Sequence, residues 1–475
     1  MVPPKKKQTE TSGTREKLKN DKEFSANKIQ IITMDFLLHV SGLVPPKNAT
    51  PFIRFLYKIF IRVIFTLNIL SLLGQLIAVY VHWGNITVIS TIMSYMSGFL
   101  LSLLGCVYFL HNKDKFMRLI DLLRNEFVAN MNSKYIKCIQ FAERQVILSC
   151  IYSAPIAISF GLFSIAAPFL SNNTNSNFDN NTLTTERNNL DRLMFVIWLP
   201  FAIEDSPQFE IIMVLQAILI SFGLFMMAAV DVIFLLLMSH AAAQFKVLCA
   251  MLNDMHENVS EVELNRTKQM SPLQEIADFN CMKDPVTSAD DITCLESGSG
   301  NCGNPSSETR QEKCHVNKDP FLLYLVKCIK YHQALIVFVS HLNEIVSLVT
   351  FMRIVNFPLI LCMTGFGITQ NYADRQQFLK FFCFFVISLV VIGGYSWFGQ
   401  QVIDESEKVQ LAFYSTDWYS QTPGYKSLLP LAMMRASRPL RVNAGVFFDM
   451  SLLTFSSLVN ASYRYFTMLI QLHDS

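Results

Sequence analysis

Seven stretches of this 475-residue chain are apolar over roughly 20 residues each, and no other feature of the sequence restricts the fold as strongly. A helix rises 1.5 Å per residue, so about 20 apolar residues cross a hydrocarbon core about 30 Å thick. Only 16% of the residues are charged, against roughly a quarter in soluble domains. The sequence therefore predicts an all-α integral membrane protein with seven transmembrane helices. The predicted spans are 59–81, 86–110, 146–170, 211–239, 345–369, 379–398 and 445–471.

The distribution of Lys and Arg predicts the orientation of these spans, because positive residues accumulate in cytosolic connections. The N-terminal segment and the connections 111–145, 240–344 and 399–444 carry 32 Lys and Arg, whereas the alternate connections carry 3. The N-terminus is therefore predicted to be cytosolic and the C-terminus extracellular. This orientation is the reverse of that of a G-protein-coupled receptor.

The predicted topology divides the chain into a cytosolic N-terminal segment, four spans, a long cytosolic loop, three further spans and an extracellular tail. In order, these are residues 1–58, 59–239, 240–344, 345–471 and 472–475. Residues 1–28 are predicted to be disordered, and the loop contains a Ser-, Gly- and Pro-rich insert, 272–319, predicted to be flexible. Helices on both sides of this insert are expected to run past the membrane and form a cytosolic bundle where subunits can meet, and the cytosolic segment 399–444 follows the sixth span.

The sequence carries no sign of catalysis, of a cofactor or of nucleic-acid binding. His-Glu-x-x-His, phosphate-loop and nucleophile-elbow motifs are absent, and a net charge of +2 excludes a polybasic nucleic-acid binder. Cys281, Cys294, Cys302 and Cys314, with His315 beside them, lack the paired spacing of zinc ligands, so we expect reduced thiols and no metal site. None of the 11 cysteines falls in a segment predicted to be extracellular, so no extracellular disulfide is expected.

The last predicted span differs from the others because polar side chains follow one side of it. At 100° per residue these side chains occupy about a third of the helix circumference. They are Asp449, Ser456, Ser457, Asn460, Arg464, Thr467, Met468 and Gln471. Such a stripe either packs centrally in the chain's own bundle or faces water in a pore, and periodicity alone leaves both interpretations open.

The C-terminal sequence resembles that of the insect odorant receptor family. Residues 397–419 (WFGQQVIDESEKVQLAFYSTDWY) contain a Phe-Gly pair and an Ala-x-Tyr-x-x-x-Trp pattern. Residues 444–455 then match Ala-Gly-x-Phe-Phe-x-x-Ser-Leu-x-x-Phe, and Tyr-Phe-x-x-Leu follows near the end. The resemblance is strong over the last 80 or so residues, and Trp198-Leu-Pro-Phe201 and the stretch 328–344 also look familial.

The resemblance implies the odorant-tuned subunit of a tetrameric, odorant-gated, non-selective cation channel in the plasma membrane of sensory dendrites. Its implied partners are the odorant receptor coreceptor, a small volatile odorant and membrane lipid. It further implies an odorant pocket in the outer half of the subunit's own helices, a pore lined by the last helix, and subunit contacts at the cytosolic ends of the fifth to seventh helices.

Several other functions remain as alternatives. A coreceptor-like or gustatory-type homomeric channel is the first, and the long loop with its 272–319 insert is a coreceptor trait. A metabotropic receptor is disfavoured by the inverted topology and by the lack of an Asp-Arg-Tyr motif at a cytosolic helix end. A transporter is disfavoured because the sequence shows no internal repeat.

We expect an odorant pocket between the second, third, fourth and sixth spans, since small volatiles bind mainly through apolar burial and aromatic contacts. Residues at one-turn spacing on those spans are the candidates, although each could equally serve packing or contact lipid. They are Ile92, Tyr95, Ile156, Phe160, Phe163, Met213, Gln216, Ile220, Phe381, Phe384 and Phe385.

A gate is expected at the outer end of the last span, at Met468, Gln471 and Leu472, which share one helix face. Apolar side chains close a narrow pore by dewetting, and an amide offers hydrogen bonds to a hydrated ion. Arg464 lies one turn deeper on the same stripe. Four such guanidinium groups around one pore would repel cations, so either a coreceptor dilutes the charge or Arg464 turns aside to an acid or a phospholipid.

Overall fold

The computed structural model describes residues 50–123, 127, 133–148, 195–198, 208–260, 319–372 and 374–474. These residues are almost entirely helical, which confirms the all-α part of the predicted fold class. The helices are α1 Pro51–Val81, α2 Ile86–His111, α3 Lys113–Leu122, α4 136–148, α5 Gln208–Asn253, α6 Pro320–Gln370, α7 Arg375–Tyr414, α8 Pro423–Ala436 and α9 Leu452–Asp474. Short 3-10 turns lie at Ser133–Tyr135 and Trp418–Ser420, and one hairpin pairs β1 Asn443–Ala444 with β2 Phe448–Asp449.

The first two helices begin where the sequence supplies capping residues. The Thr50 hydroxyl accepts a hydrogen bond from the Ile53 amide, and Pro51 occupies the first helical position, where its missing N–H costs nothing. Between α1 and α2 the chain turns at Gly84, whose φ of 101° favours glycine. The side chain of Asn85 then caps α2 by accepting from the Val88 amide.

Five helices of the described chain are long and apolar enough to cross a membrane: α1, α2, α5, α6 and α7. They contain the predicted spans 59–81, 86–110, 211–239, 345–369 and 379–398. The predicted span 146–170 lies outside the described residues from position 149 onward. Helix α9 is 23 residues long and less apolar than these five.

Three of the helices are far longer than a membrane crossing requires. Helices α5, α6 and α7 have 46, 51 and 40 residues, about twice the 20 that a bilayer needs. The chain divides into two compact units. The first unit comprises Met1–Gln244, Val337–Asp404 and Leu440–Ser475, and the second comprises Phe245–Ile336 and Glu405–Pro439.

The second unit is a small helical assembly with its own core. Leu325, Cys328 and Phe413 are fully buried there, and the buried Tyr425 donates a hydrogen bond to the Thr416 hydroxyl at 3.0 Å. The Asp319 carboxylate accepts hydrogen bonds from the first amides of α6. Such a cap satisfies backbone donors that a helix N-terminus otherwise leaves open.

The predicted start of the last span, at residue 445, is wrong. Residues 443–449 form the β-hairpin, and α9 begins only at Leu452, so Asp449 belongs to strand β2 and not to the helical stripe. Backbone polar groups of the hairpin form hydrogen bonds with α6 that they would not form if these residues were helical. The Gly445 amide donates to the Ser347 carbonyl at 2.9 Å, and Asp449 forms an ion pair with Arg441 at 2.5 Å.

Two glycines of the familial motifs permit this arrangement. Gly445 has a φ of +66°, and a β-carbon there would also lie 2.8 Å from the ring of Phe351. Gly399 packs directly on the backbone of Met450, so that a β-carbon would lie 2.2 Å from its carbonyl oxygen. The motifs therefore mark the close approach of α7 and α6 to the segment that leads into α9.

Candidate functional site

A buried aromatic and aliphatic cluster lies among α2, α5, α7 and the segment 195–198 in the first unit. It contains four of the predicted pocket residues: Tyr95, Met213 and Ile220 are at most 8% exposed, and Phe384 packs against them. The Tyr95 ring is stacked on that of Phe384, with centroids 6.1 Å apart and planes 12° apart. We call this group the aromatic cluster.

Gln216 lies at the edge of the aromatic cluster and is 3% exposed. Its amide nitrogen donates to the Phe195 carbonyl at 3.0 Å. This bond fixes the position of Phe195, whose ring lies 5.2 Å from Phe99 and 6.1 Å from Tyr95. Gln216 thus orders one wall of the cluster.

Three other predicted pocket residues lie elsewhere. Ile92 is fully buried in a separate small cluster with Ala78 of α1 and Val196. Phe381 packs on α6, where a β-carbon at Gly367 would approach its ring to 2.6 Å. Phe385 is half-buried and is not part of the aromatic cluster, because adjacent residues of a helix point in different directions. The remaining candidates, Ile156, Phe160 and Phe163, lie outside the described residues.

The sequence reasoning missed members of the cluster. Phe99 and Phe195 belong to it, and the Lys380 ammonium lies 5.2 Å from the centroid of the Tyr95 ring although Lys380 is only 8% exposed. Phe99 lies one turn after Tyr95, so one-turn spacing would have found it. Phe195 lies outside every predicted span, and only tertiary packing brings it to the cluster.

A second feature that the sequence reasoning missed is a buried charged triad in the first unit. Arg353 of α6 forms an ion pair with Asp231 of α5, and the Tyr395 hydroxyl of α7 donates to the same carboxylate oxygen at 2.8 Å. The guanidinium carbon also lies 5.4 Å from the centroid of the Tyr395 ring. The sequence does carry a signal for this ion pair, because Asp231 and Arg353 lie inside two predicted spans. Ionisable residues within spans usually pair with one another.

The polar stripe of α9 lies on the exposed side of that helix. Ser456, Ser457, Asn460, Arg464 and Gln471 are all exposed. The stripe is therefore not packed inside the chain's own described bundle.

The opposite side of α9 packs against α6 and α7, which also contribute to the first unit. Phe455 lies 6.4 Å from the ring of Phe357 and approaches Gly393, and Phe466 approaches Gly365. The hydroxyls of Ser456 and Ser457 both donate to the Leu453 carbonyl, so their protons are satisfied within the helix. Their oxygen lone pairs remain on the open face.

The predicted gate residues occupy the C-terminal end of this exposed face. Met468 is 59% exposed, and Gln471 and Arg464 are exposed. Within the described part of the chain no carboxylate pairs with Arg464. Leu472 continues α9, and its side chain lies outside the described part.

Long apolar helices, a buried aromatic cluster and a polar helix face left open together define a multi-pass helical membrane protein of the receptor or channel type. A family model described as 7tm Odorant receptor matches residues 85–463 of the chain. The chain belongs to this odorant receptor family.

Curated relatives match about a third of the chain. Odorant receptor 10 of Aedes albopictus is 33% identical over 162 residues, which are 34% of this chain and 42% of that protein. Putative odorant receptor 85d of Drosophila melanogaster is 32% identical over 149 residues, which are 31% of this chain and 36% of that protein. Each match thus spans less than half of the relative's length. These relatives are receptors and not enzymes, in agreement with the lack of catalytic motifs.

The fold is similar to that of a solved olfactory receptor. The structure of the insect olfactory receptor OR5 from Machilis hrabei in complex with eugenol superimposes with a TM-score of 0.71 and 14% identity, covering 95% of this chain and all of that one. A second structure of the same receptor gives a TM-score of 0.69 at the same identity. At this identity the likeness establishes the fold alone.

Proposed function

We propose that the chain is the odorant-binding subunit of a heteromeric, ligand-gated, non-selective cation channel of the plasma membrane. Family membership supports the odorant receptor role. The exposed polar face of α9 is the observation that carries the channel proposal. Polar side chains are costly in contact with lipid, so this face needs water or another subunit against it. A pore shared between subunits supplies both.

The aromatic cluster supports the proposed odorant site. A small volatile has few polar groups, so its affinity comes from apolar burial at roughly 25 cal/mol per Å² and from contacts with aromatic rings. Tyr95, Phe99, Phe195 and Phe384 offer several ring faces and edges within one cluster. The third predicted span, with Phe160, is proposed to complete this site.

The charge of Arg464 favours a heteromer over a homomer. Four guanidinium groups facing one narrow pore would repel cations strongly at the reduced dielectric of a channel. A coreceptor that supplies the other pore helices reduces that charge. The homomeric alternative, a coreceptor-like or gustatory-type channel, would have to turn Arg464 away from the pore, for example toward a phospholipid.

Expression in cells that lack endogenous odorant receptors tests the assembly. With the coreceptor, a panel of volatiles is expected to evoke a non-selective cation current that persists when G-protein signalling is blocked. Without the coreceptor, no current is expected. A chain that conducts alone would contradict the heteromer and favour the homomeric alternative, and a current abolished by the G-protein block would favour a metabotropic receptor.

The proposed topology is tested with epitope tags on intact cells. A tag after Ser475 is expected to be accessible to antibody, because the C-terminus is proposed to be extracellular, and a tag before Met1 is expected to be accessible only after permeabilisation. The reverse staining would overturn the orientation and with it the outer position of the odorant site.

The gate is tested in the heteromer with Met468→Ser and Leu472→Ser. A small polar residue favours wetting of a narrow pore, so both variants are expected to raise the basal current or change ion selectivity. Arg464→Ala is expected to raise cation conductance. Leu76→Ser on α1 is the matched control, since Leu76 is 53% exposed and lies outside α9. If all three α9 variants behave like the wild type, this helix does not line the conduction path.

A further inference from the structure

The hydroxyl of Tyr95 is an unusual polar group within the aromatic cluster. Tyr95 is 8% exposed and is surrounded by the rings of Phe195 and Phe384 and by the side chain of Lys380. Across the part of the chain that the structure describes, no residue forms a hydrogen bond with this hydroxyl. A tyrosine hydroxyl can act both as a hydrogen-bond donor and as an acceptor. The hydroxyl therefore suits a partner from outside the protein.

The neighbours of Tyr95 hold the ring and strengthen its hydroxyl as a donor. Phe384 stacks on the ring, and Lys380, one helical turn earlier on α7, places its ammonium 5.2 Å from the ring centroid. A cation near an aromatic face is attracted by the electrons of the ring. Because the Lys380 ammonium withdraws electron density from the ring, it makes the Tyr95 hydroxyl a stronger hydrogen-bond donor.

Gln216, another polar side chain at the cluster, is already engaged. Gln216 uses its amide nitrogen to hold the Phe195 carbonyl at 3.0 Å. If Gln216 turned toward an odorant, the carbonyl of Phe195 would be left buried and unpaired. The free energy lost in this way would be about as large as the free energy gained from the new hydrogen bond. Tyr95 is thus better placed than Gln216 to donate a hydrogen bond to a polar group of an odorant.

We propose that the odorant of this receptor carries a carbonyl-type oxygen, as a ketone, aldehyde or ester does, and that the Tyr95 hydroxyl donates a hydrogen bond to it. This inference rests on the proposed function of the aromatic cluster. A carbonyl oxygen needs only a donor, whereas an alcohol brings its own proton, which would be left unpaired among the surrounding rings. A hydrocarbon of equal shape would leave the Tyr95 hydroxyl unpaired.

The test compares volatiles of matched shape in cells that express the chain with the coreceptor. The panel contains six- to ten-carbon methyl ketones and esters, the alkanes and secondary alcohols of the same length, and acetophenone with ethylbenzene and 1-phenylethanol. Carbonyl compounds are expected to activate at concentrations at least tenfold lower than the matched hydrocarbons, with alcohols between them. This comparison needs no variant, so it does not depend on how a substitution folds.

Tyr95→Phe then removes the hydroxyl and keeps the ring. It is expected to raise the EC50 of the active carbonyl compounds about fivefold to tenfold, the effect of losing one neutral hydrogen bond, and to leave weak hydrocarbon responses unchanged. Lys380→Met keeps the apolar stem, removes the cation and is expected to give a smaller loss, of about threefold, for the same compounds. Tyr372→Phe is the control, since Tyr372 is 83% exposed.

Two results would overturn the inference and leave the proposed function intact. One is equal potency of matched carbonyls and hydrocarbons in the wild type. The other is an unchanged carbonyl EC50 in Tyr95→Phe at normal surface expression. A channel that opens to none of a broad set of volatiles would instead overturn the proposed function, and this inference with it.

Discussion

Two groups of polar residues in the first unit have opposite environments, since one is buried and the other is exposed. Asp231, Arg353 and Tyr395 lie inside the bundle and are at most 7% exposed, and the Asp231 carboxylate pairs with both of the other side chains. The stripe of α9, with Asn460 and Arg464, lies on the open side of its helix, and the described residues of other helices offer Asn460 and Arg464 no such partners. Both groups sit on helices that are otherwise rich in Leu, Ile, Val and Phe.

The difference shows which polar groups hold the subunit together and which are available to others. A charge that is buried with its counter-charge fixes three helices in one arrangement, because separating the pair would leave a bare charge in a medium of low dielectric. A polar face that stays open adds little to the fold of one subunit. Substitutions on this face are therefore expected to have little effect on the stability of the chain itself.

The largest expected effect follows from breaking the buried triad. Arg353→Leu leaves the Asp231 carboxylate buried without its counter-charge, which typically costs about 3–5 kcal/mol. We expect surface expression to fall severely and the thermal unfolding temperature of the purified complex to decrease. Arg438→Leu, at an exposed position, is the control. Replacing both partners, with Asp231→Leu and Arg353→Leu together, should recover much of the loss, and wild-type stability of Arg353→Leu alone would contradict the structural role.

The buried imidazole of His332 should make the stability of the protein depend on pH, and we expect this effect to be of intermediate size. Burial, and secondarily the charge of Arg435, lowers the pKa of His332 in the second unit to about 4. Between pH 6.5 and 4 the unfolded chain therefore binds a proton that the folded chain does not. Stability is lost as the pH falls through this range, by roughly 2 kcal/mol at pH 5.

Thermal unfolding of the purified complex at pH 7.5 and pH 5 measures this loss. His332→Gln is expected to show a smaller decrease between the two pH values than the wild type. His341→Gln serves as the control because the His341 side chain is 56% exposed. An identical pH dependence in wild type and His332→Gln would show that other groups cause the acid sensitivity.

The smallest effect on stability is expected on the open face of α9. Asn460→Leu removes no hydrogen bond to another helix, so its effect on the unfolding temperature should correspond to less than about 0.5 kcal/mol. Its effect on current should be large in comparison, because a leucine in the stripe makes the proposed pore less polar. Asn253→Leu, exposed on α5, is the matched control. A strong loss of stability with unchanged conductance would reverse the contrast between the two groups.

The sequence predicted the helices well and part of the aromatic cluster. The apolar spans in α1, α2, α5, α6 and α7 follow from local composition, so they could be read directly. One-turn spacing correctly brought Tyr95, Met213, Ile220 and Phe384 into one cluster. The same spacing could not show that Ile92 and Phe381 lie outside the cluster. It indicates which face of a helix is buried, but it does not indicate which residues pack against that face.

By itself, the sequence determined that this chain is a helical membrane protein, and its C-terminal motifs determined the family. Hydropathy and motif glycines are features of short sequence segments, so they can be identified without a structure. Only the tertiary structure decided that residues 443–449 form a hairpin, that Arg353 meets Asp231 and Tyr395, and that the stripe of α9 stays open. These outcomes depend on which helix faces pack together, and the sequence of any single helix does not specify its neighbour.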